Sequence, residues 1–96
     1  MDLTILLGTI INRLNEIGLF MDSEPIIDKE YNLISFKLAR WGQWVYTVNV
    51  WTDTCAACGH SITEYELYSP DQAEESDPTP IFEARNLDEL IAYLRG

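Results

Sequence analysis

The sequence predicts a two-layer α+β sandwich, an antiparallel sheet of three to five strands with an N-terminal and a C-terminal helix packed on one face. Three observations point there. Both ends carry apolar residues at three- and four-residue spacing, the middle alternates with period two, and no helical stretch separates the strands as a parallel crossover requires. The 96 residues make one domain, 1–96, without repeats.

The elements follow in order. In residues 3 to 17, Leu3, Leu6, Leu7, Ile10, Leu14 and Ile17 form a helical stripe widened by Ile11, with Asn12, Arg13, Asn15 and Glu16 opposite. Asp2 stands where a cap belongs, and Gly18 where the chain turns left-handed to end a helix. Pro25 opposes helix in the next segment, and Ile26–Ile27 starts a short edge strand. One strand sets Ile34, Phe36 and Leu38 against Leu33, Ser35 and Lys37. A second sets Trp44, Tyr46, Val48 and Val50 toward the core and Val45, Thr47, Asn49 and Trp51 away from it. "ARWGQ" joins them as a hairpin. A third strand over 61 to 68 places Thr63, Tyr65 and Leu67 on one face and Ile62, Glu64 and Glu66 on the other. "SPDQAEESDPTP", residues 69–80, reads as an acidic Pro-rich loop with nothing to give a core. "IFEA" reads as a last short strand. "NLDELIAYLRG" is a helix capped by Asn86, with Glu89 at the capping-box position and Leu87, Leu90, Ile91 and Leu94 as its stripe.

The sheet face away from the helices then carries Leu33, Val45 and Trp51 among Ser35, Lys37, Thr47 and Asn49. That is more apolar than a solvated face requires. It is expected to serve partner binding or self-association, as in a homodimer, unless the acidic loop or the 20-to-30 segment folds over it.

Charge narrows the function. Six basic residues face sixteen acidic ones, for a net charge of −10. No Lys or Arg occurs from Trp41 to Ala84, a stretch holding the eight acids Asp53, Glu64, Glu66, Asp71, Glu74, Glu75, Asp77 and Glu83. Such a field repels nucleic acid and anionic lipid, and it attracts a protein with a basic surface. Solubility alone would also account for it. The start lacks a basic segment and has polar residues at helical spacing, unlike a secretory signal. Two cysteines are too few for a disulfide scaffold, so the expected compartment is the cytoplasm.

"WTDTCAACGH" is the one stretch with chemistry in its spacing. Cys55 and Cys58 are separated as two thiolates sharing a metal are, Gly59 allows the tight path, and His60 and Asp53 could add ligands. The count falls short of a structural zinc site unless a dimer supplies Cys55 and Cys58 twice. A dithiol redox pair needs its motif to open a helix, whereas "GHSITEYELY" reads as strand. Two reduced thiols in a turn are the plain alternative. His60 has no Ser or acid at a recognisable catalytic spacing, and no phosphate loop, dinucleotide fingerprint, zincin or calcium loop occurs.

The leading expectation is therefore a non-enzymatic acidic protein that masks a basic surface of a partner, such as a nucleic-acid-binding protein. Inhibitors of the anti-defence (anti-CRISPR) type, DNA mimics and immunity proteins share this profile as a class. Glu64, Glu66, Asp71, Glu74, Glu75 and Asp77 would steer the partner, and Trp41 and Trp51 would hold it. The alternative is a small structural or accessory module, zinc-stabilised through Cys55, Cys58 and His60 or with no cofactor.

Overall fold

The computed structural model describes residues 2–54, 61–73 and 76–96. The chain runs α1 (Leu3–Glu16), β1 (Phe20–Met21), β2 (Ile26–Asp28), β3 (Leu33–Arg40), β4 (Gln43–Thr54), β5 (Ser61–Tyr68), α2 (Pro70–Ala73), β6 (Phe82–Ala84) and α3 (Leu87–Arg95). All pairings are antiparallel, in the order β1-β3-β4-β5-β6, and β2 pairs with β3 as well. β1 meets Leu38 and Ala39 while β2 meets Leu33 to Ser35. The two short strands thus share one edge of β3, and six strands occupy five lanes. This is the expected α+β fold with one strand more than expected, because a two-residue strand has no alternation to read.

The core forms between one face of the sheet and both helices. Ile34, Phe36, Val48, Val50 and Leu67 from the strands pack with Ile10, Leu14, Leu90 and Leu94 from α1 and α3. Burying these side chains is the main stabilising contribution, roughly 1.5–3 kcal/mol for each Leu, Ile, Val or Phe fully withdrawn from water. Phe82 of β6 stacks on Tyr93 of α3 with ring centres 4.1 Å apart. Arg13 of α1 pairs with Asp88 of α3 at 3.0 Å, an exposed contact that contributes little.

The caps follow the sequence closely. Thr4 N–H donates to the Asp2 carboxylate at 2.9 Å. At the other end of α1, Gly18 adopts φ 83°, Gly18 N–H donates to the Asn15 carbonyl and Leu19 N–H to the Leu14 carbonyl. That is the Schellman arrangement, with Leu19 fully buried as its apolar partner. In α3, Glu89 N–H donates to the Asn86 side chain at 2.9 Å. The Glu89 carboxylate accepts from Arg85 N–H, one residue before the N-cap amide that a capping box uses.

Two expectations are corrected. The 69–80 segment begins with a helical turn, Pro70–Ala73, where Pro occupies the first helical position without losing a needed N–H. The second correction concerns Trp44 and Val45. Leu38 pairs with Tyr46, but Ala39 pairs with Trp44, so Val45 is an extra residue and β4 bulges there. A one-residue bulge reverses the alternation beyond it. Val45 therefore packs against the core, while Trp44 lies on the outward face with the Lys37 ammonium 4.3 Å from its ring centre. Both placements are the reverse of a strict period-two reading.

Candidate functional site

The outward face is built by alternation on three strands. β4 turns out Thr47, Asn49, Trp51 and Asp53, and β5 turns out Ile62, Glu64, Glu66 and Tyr68. Register sets Asn49 opposite Glu66 and Trp51 opposite Glu64, and on the other side of β5 it sets Glu83 opposite Glu66. Three carboxylates with no Lys or Arg on their own strands thus share one surface with an indole.

Glu66 is its hub. The Trp51 indole N–H donates to Glu66 Oε1. Tyr68 lies beside both Glu66 and Asn49, and each acts on its hydroxyl. The Tyr68 pKa is pushed up to about 12, first by burial and then by the charge and hydrogen bond of Glu66, with Glu83 adding to it and Asn49 opposing. The indole N–H of a neighbouring strand therefore holds this carboxylate in place. Glu64, Glu66 and Glu83 form no ion pair with a described residue.

Trp51 is 38% exposed and Ile62 54% exposed. With Asp53, Glu64, Glu66 and Tyr68 they border a shallow depression of about 580 Å³. A smaller recess of about 190 Å³ follows between Glu66, Glu83 and Arg85. The hairpin end of the same face is less open. α2 lies against β4, and the register pair Thr47–Tyr68 there includes a buried Tyr68. The start of the acidic segment thus lies next to β4, and Trp51 at the other end of the face stays accessible.

Of the residues singled out by sequence, Glu64, Glu66 and Trp51 come together. Asp71 and Asp77 are exposed on and beyond α2. Trp41 sits at the hairpin turn, ten residues before Trp51 along the chain, and does not join the acidic face. Glu74, Glu75, Cys55, Cys58 and His60 lie outside the described residues. Among the described residues no group of three His, Cys, Asp or Glu is arranged to hold a metal ion, and no helix is long and apolar enough to cross a membrane.

Sequence reasoning missed Glu83, Tyr68 and Asn49 as members of the site. Glu83 was legible as the outward residue between Phe82 and Ala84. Tyr68 was legible as the next outward position after Glu66. Neither could be joined to Glu66 without the register.

Compared with models of known protein families, with curated proteins and with solved structures, the chain finds no match.

Proposed function

We propose that this protein is a non-enzymatic binding protein whose outward sheet face masks a basic surface of a partner protein. The observation that carries the reading is the shared surface of Glu64, Glu66 and Glu83 beside a half-exposed Trp51, on the face that neither α1 nor α3 covers. Clustered carboxylates steer Lys and Arg to the face, and the field weakens as salt rises. Glu66, held by the Trp51 indole N–H, loses little freedom when a guanidinium meets it, so its contribution per contact is larger than that of a free surface acid. Trp51 offers an aromatic plane to the same guanidinium. Nucleic acid and anionic membranes are repelled by the −10 charge. Two cysteines suit a reducing cytoplasm, where inhibitors of basic, nucleic-acid-handling proteins would act.

The test is titration with a nona-arginine peptide, with duplex DNA as control. The peptide binds at low salt and is released at molar salt, and DNA does not bind. A Glu64→Gln/Glu83→Gln variant, which leaves the Glu66 hub intact, weakens peptide binding about tenfold, as loss of two charge contacts of order 0.7 kcal/mol each implies. Equal affinity of variant and wild type for the peptide would remove the proposal.

A further inference from the structure

The opposite end of the molecule is chemically the reverse of the acidic face. The β3–β4 turn consists of Trp41 and Gly42, with φ of 53° and 78°. Positive φ at both positions is what a two-residue hairpin turn of type I′ needs, and Asn-Gly or Gly-Gly meets that need without strain. A tryptophan there places a bulky side chain in left-handed backbone, a sparsely populated state. It is also 95% exposed, so the fold gains no burial from it. The left-handed backbone therefore costs stability, and burial of the indole does not offset it.

Arg40 and Arg95 stand beside it. With Trp41, Glu16, Ile17 and Leu94 they border a cavity of about 630 Å³ where the C-terminal ends of α1 and α3 meet the hairpin turn. Arg95, in the last turn of α3, complements the negative end of that helix. Neither Arg40 nor Arg95 forms an ion pair with a described residue. Two of the chain's six basic residues therefore flank its most exposed indole.

We infer that this tip docks into the acidic depression of a second copy of the chain, head to tail. The inference rests on reading the outward face as a receptor for cations, and it names one occupant. Trp41 enters the depression bordered by Trp51 and Ile62, which at about 580 Å³ has room for an indole. Arg40 and Arg95 meet Glu64, Glu66 and Glu83 around it, and Arg and Trp are the side chains that most often anchor interfaces. Tip and depression lie at opposite ends of the sheet, ten residues apart along one chain, or roughly 30 Å at the rise of a strand. The contact is therefore heterologous, and each added copy leaves a free tip and a free face. Self-association occupies the surface a basic partner would use, so assembly and partner binding exclude each other.

The net charge of −10 opposes this contact between whole molecules. Association is thus expected to peak at intermediate salt, where the long-range repulsion is screened and the close Arg–Glu contacts persist. Binding of nona-arginine falls steadily with salt instead.

The experiment uses two complementary variants and sedimentation from micromolar to millimolar protein. The tip variant Arg40→Gln/Trp41→Asn/Arg95→Gln keeps an intact face. The face variant Glu64→Gln/Glu83→Gln keeps an intact tip. Amide and indole NMR spectra establish that both are folded. Wild type is expected to grow beyond two chains with concentration, shifting the Trp41 indole signal. The tip variant alone stays monomeric, the face variant alone associates at least tenfold more weakly than wild type, and an equimolar mixture forms a two-chain species that grows no further. A wild type monomeric at millimolar concentration, a tip variant that still self-associates, or a mixture without complex overturns the inference. The tip variant's binding of nona-arginine separates the two proposals. If it binds the peptide while wild type fails to self-associate, only the head-to-tail contact is lost. If wild type binds neither peptide nor itself, the acidic-face reading falls too.

Discussion

Tyr68 occupies an outward position on β5, yet it is buried, and Glu66 beside it adds to the effect of burial on its hydroxyl. Its protonated form is the one the fold favours. The unfolded chain ionises Tyr near pH 10, whereas folded Tyr68 holds its proton to about 12. Stability linked to this group is complete below pH 10 and is lost as pH rises through about 12. Burial raises the Tyr65 pKa too, so it acts in the same sense. Urea midpoints measured across this range should therefore fall for wild type, by an amount on the order of 2 kcal/mol for the Tyr68 share. Tyr68→Phe should flatten that fall. An unchanged alkaline limb in the variant would show that the hydroxyl is not held as described. Trp41 poses the contrary case, a residue that weakens its own site. Trp41→Asn creates an Asn-Gly turn suited to both positive φ values, and thermal unfolding should show no loss and a gain of up to about 1 kcal/mol. A clear drop in stability would mean that the indole does pack in solution, and the argument for an external role would fail.

At the scale of elements, termini and irregularities matter more than propensity. α1 ends where Gly18 turns left-handed and delivers Leu19 to the core. A Cβ on Gly18 would meet nothing within 4 Å, so the cost of Gly18→Ala is conformational alone. Denaturant titration should register a loss of about 1 kcal/mol. A neutral substitution would indicate that α1 can end another way. The bulge at Val45 has the larger consequence. By reversing alternation over the last residues of the hairpin, it moves an indole from the helix side of the sheet to the outward side. There it meets the Lys37 ammonium. The carboxylates around Glu66 lie further along the face, opposite Asn49 and Trp51, so the bulge adds an aromatic-basic patch at the hairpin end.

For the molecule as a whole, the dominant fact is uneven charge on a body of 43 × 32 × 24 Å. Three glutamates share one sheet face, while Arg40 and Arg95 gather at the far end with Trp41. A net charge of −10 on this volume repels itself, and folding brings the charges closer together. Sodium chloride should therefore stabilise the fold. Between low salt and about 1 M, where the Debye length shrinks to about 3 Å, the melting temperature should rise. A melting temperature that falls over the same range would indicate that attractive pairs outweigh the repulsion, and the acidic face would then be neutralised from within.

Periodicity and punctuation in the sequence determined the fold class, both long helices with their caps, the hairpin and the strand faces over most of their length. These are local properties, since a helix stripe, an N-cap or an alternating strand is specified by residues a few positions apart. The sequence also determined the total charge and the stretch without cations. Only the tertiary structure decided which acids become neighbours. Glu66 and Glu83 are seventeen residues apart and meet through the register of β5 with β6, and Trp51 reaches Glu66 through the register of β4 with β5. Register is fixed by packing and turn geometry across strands, so no single segment encodes it. The same holds for the extra residue at Val45 and for the two short strands on one edge of β3. Each exists because a neighbouring strand offers hydrogen bonds, and a neighbour is what a linear pattern does not contain.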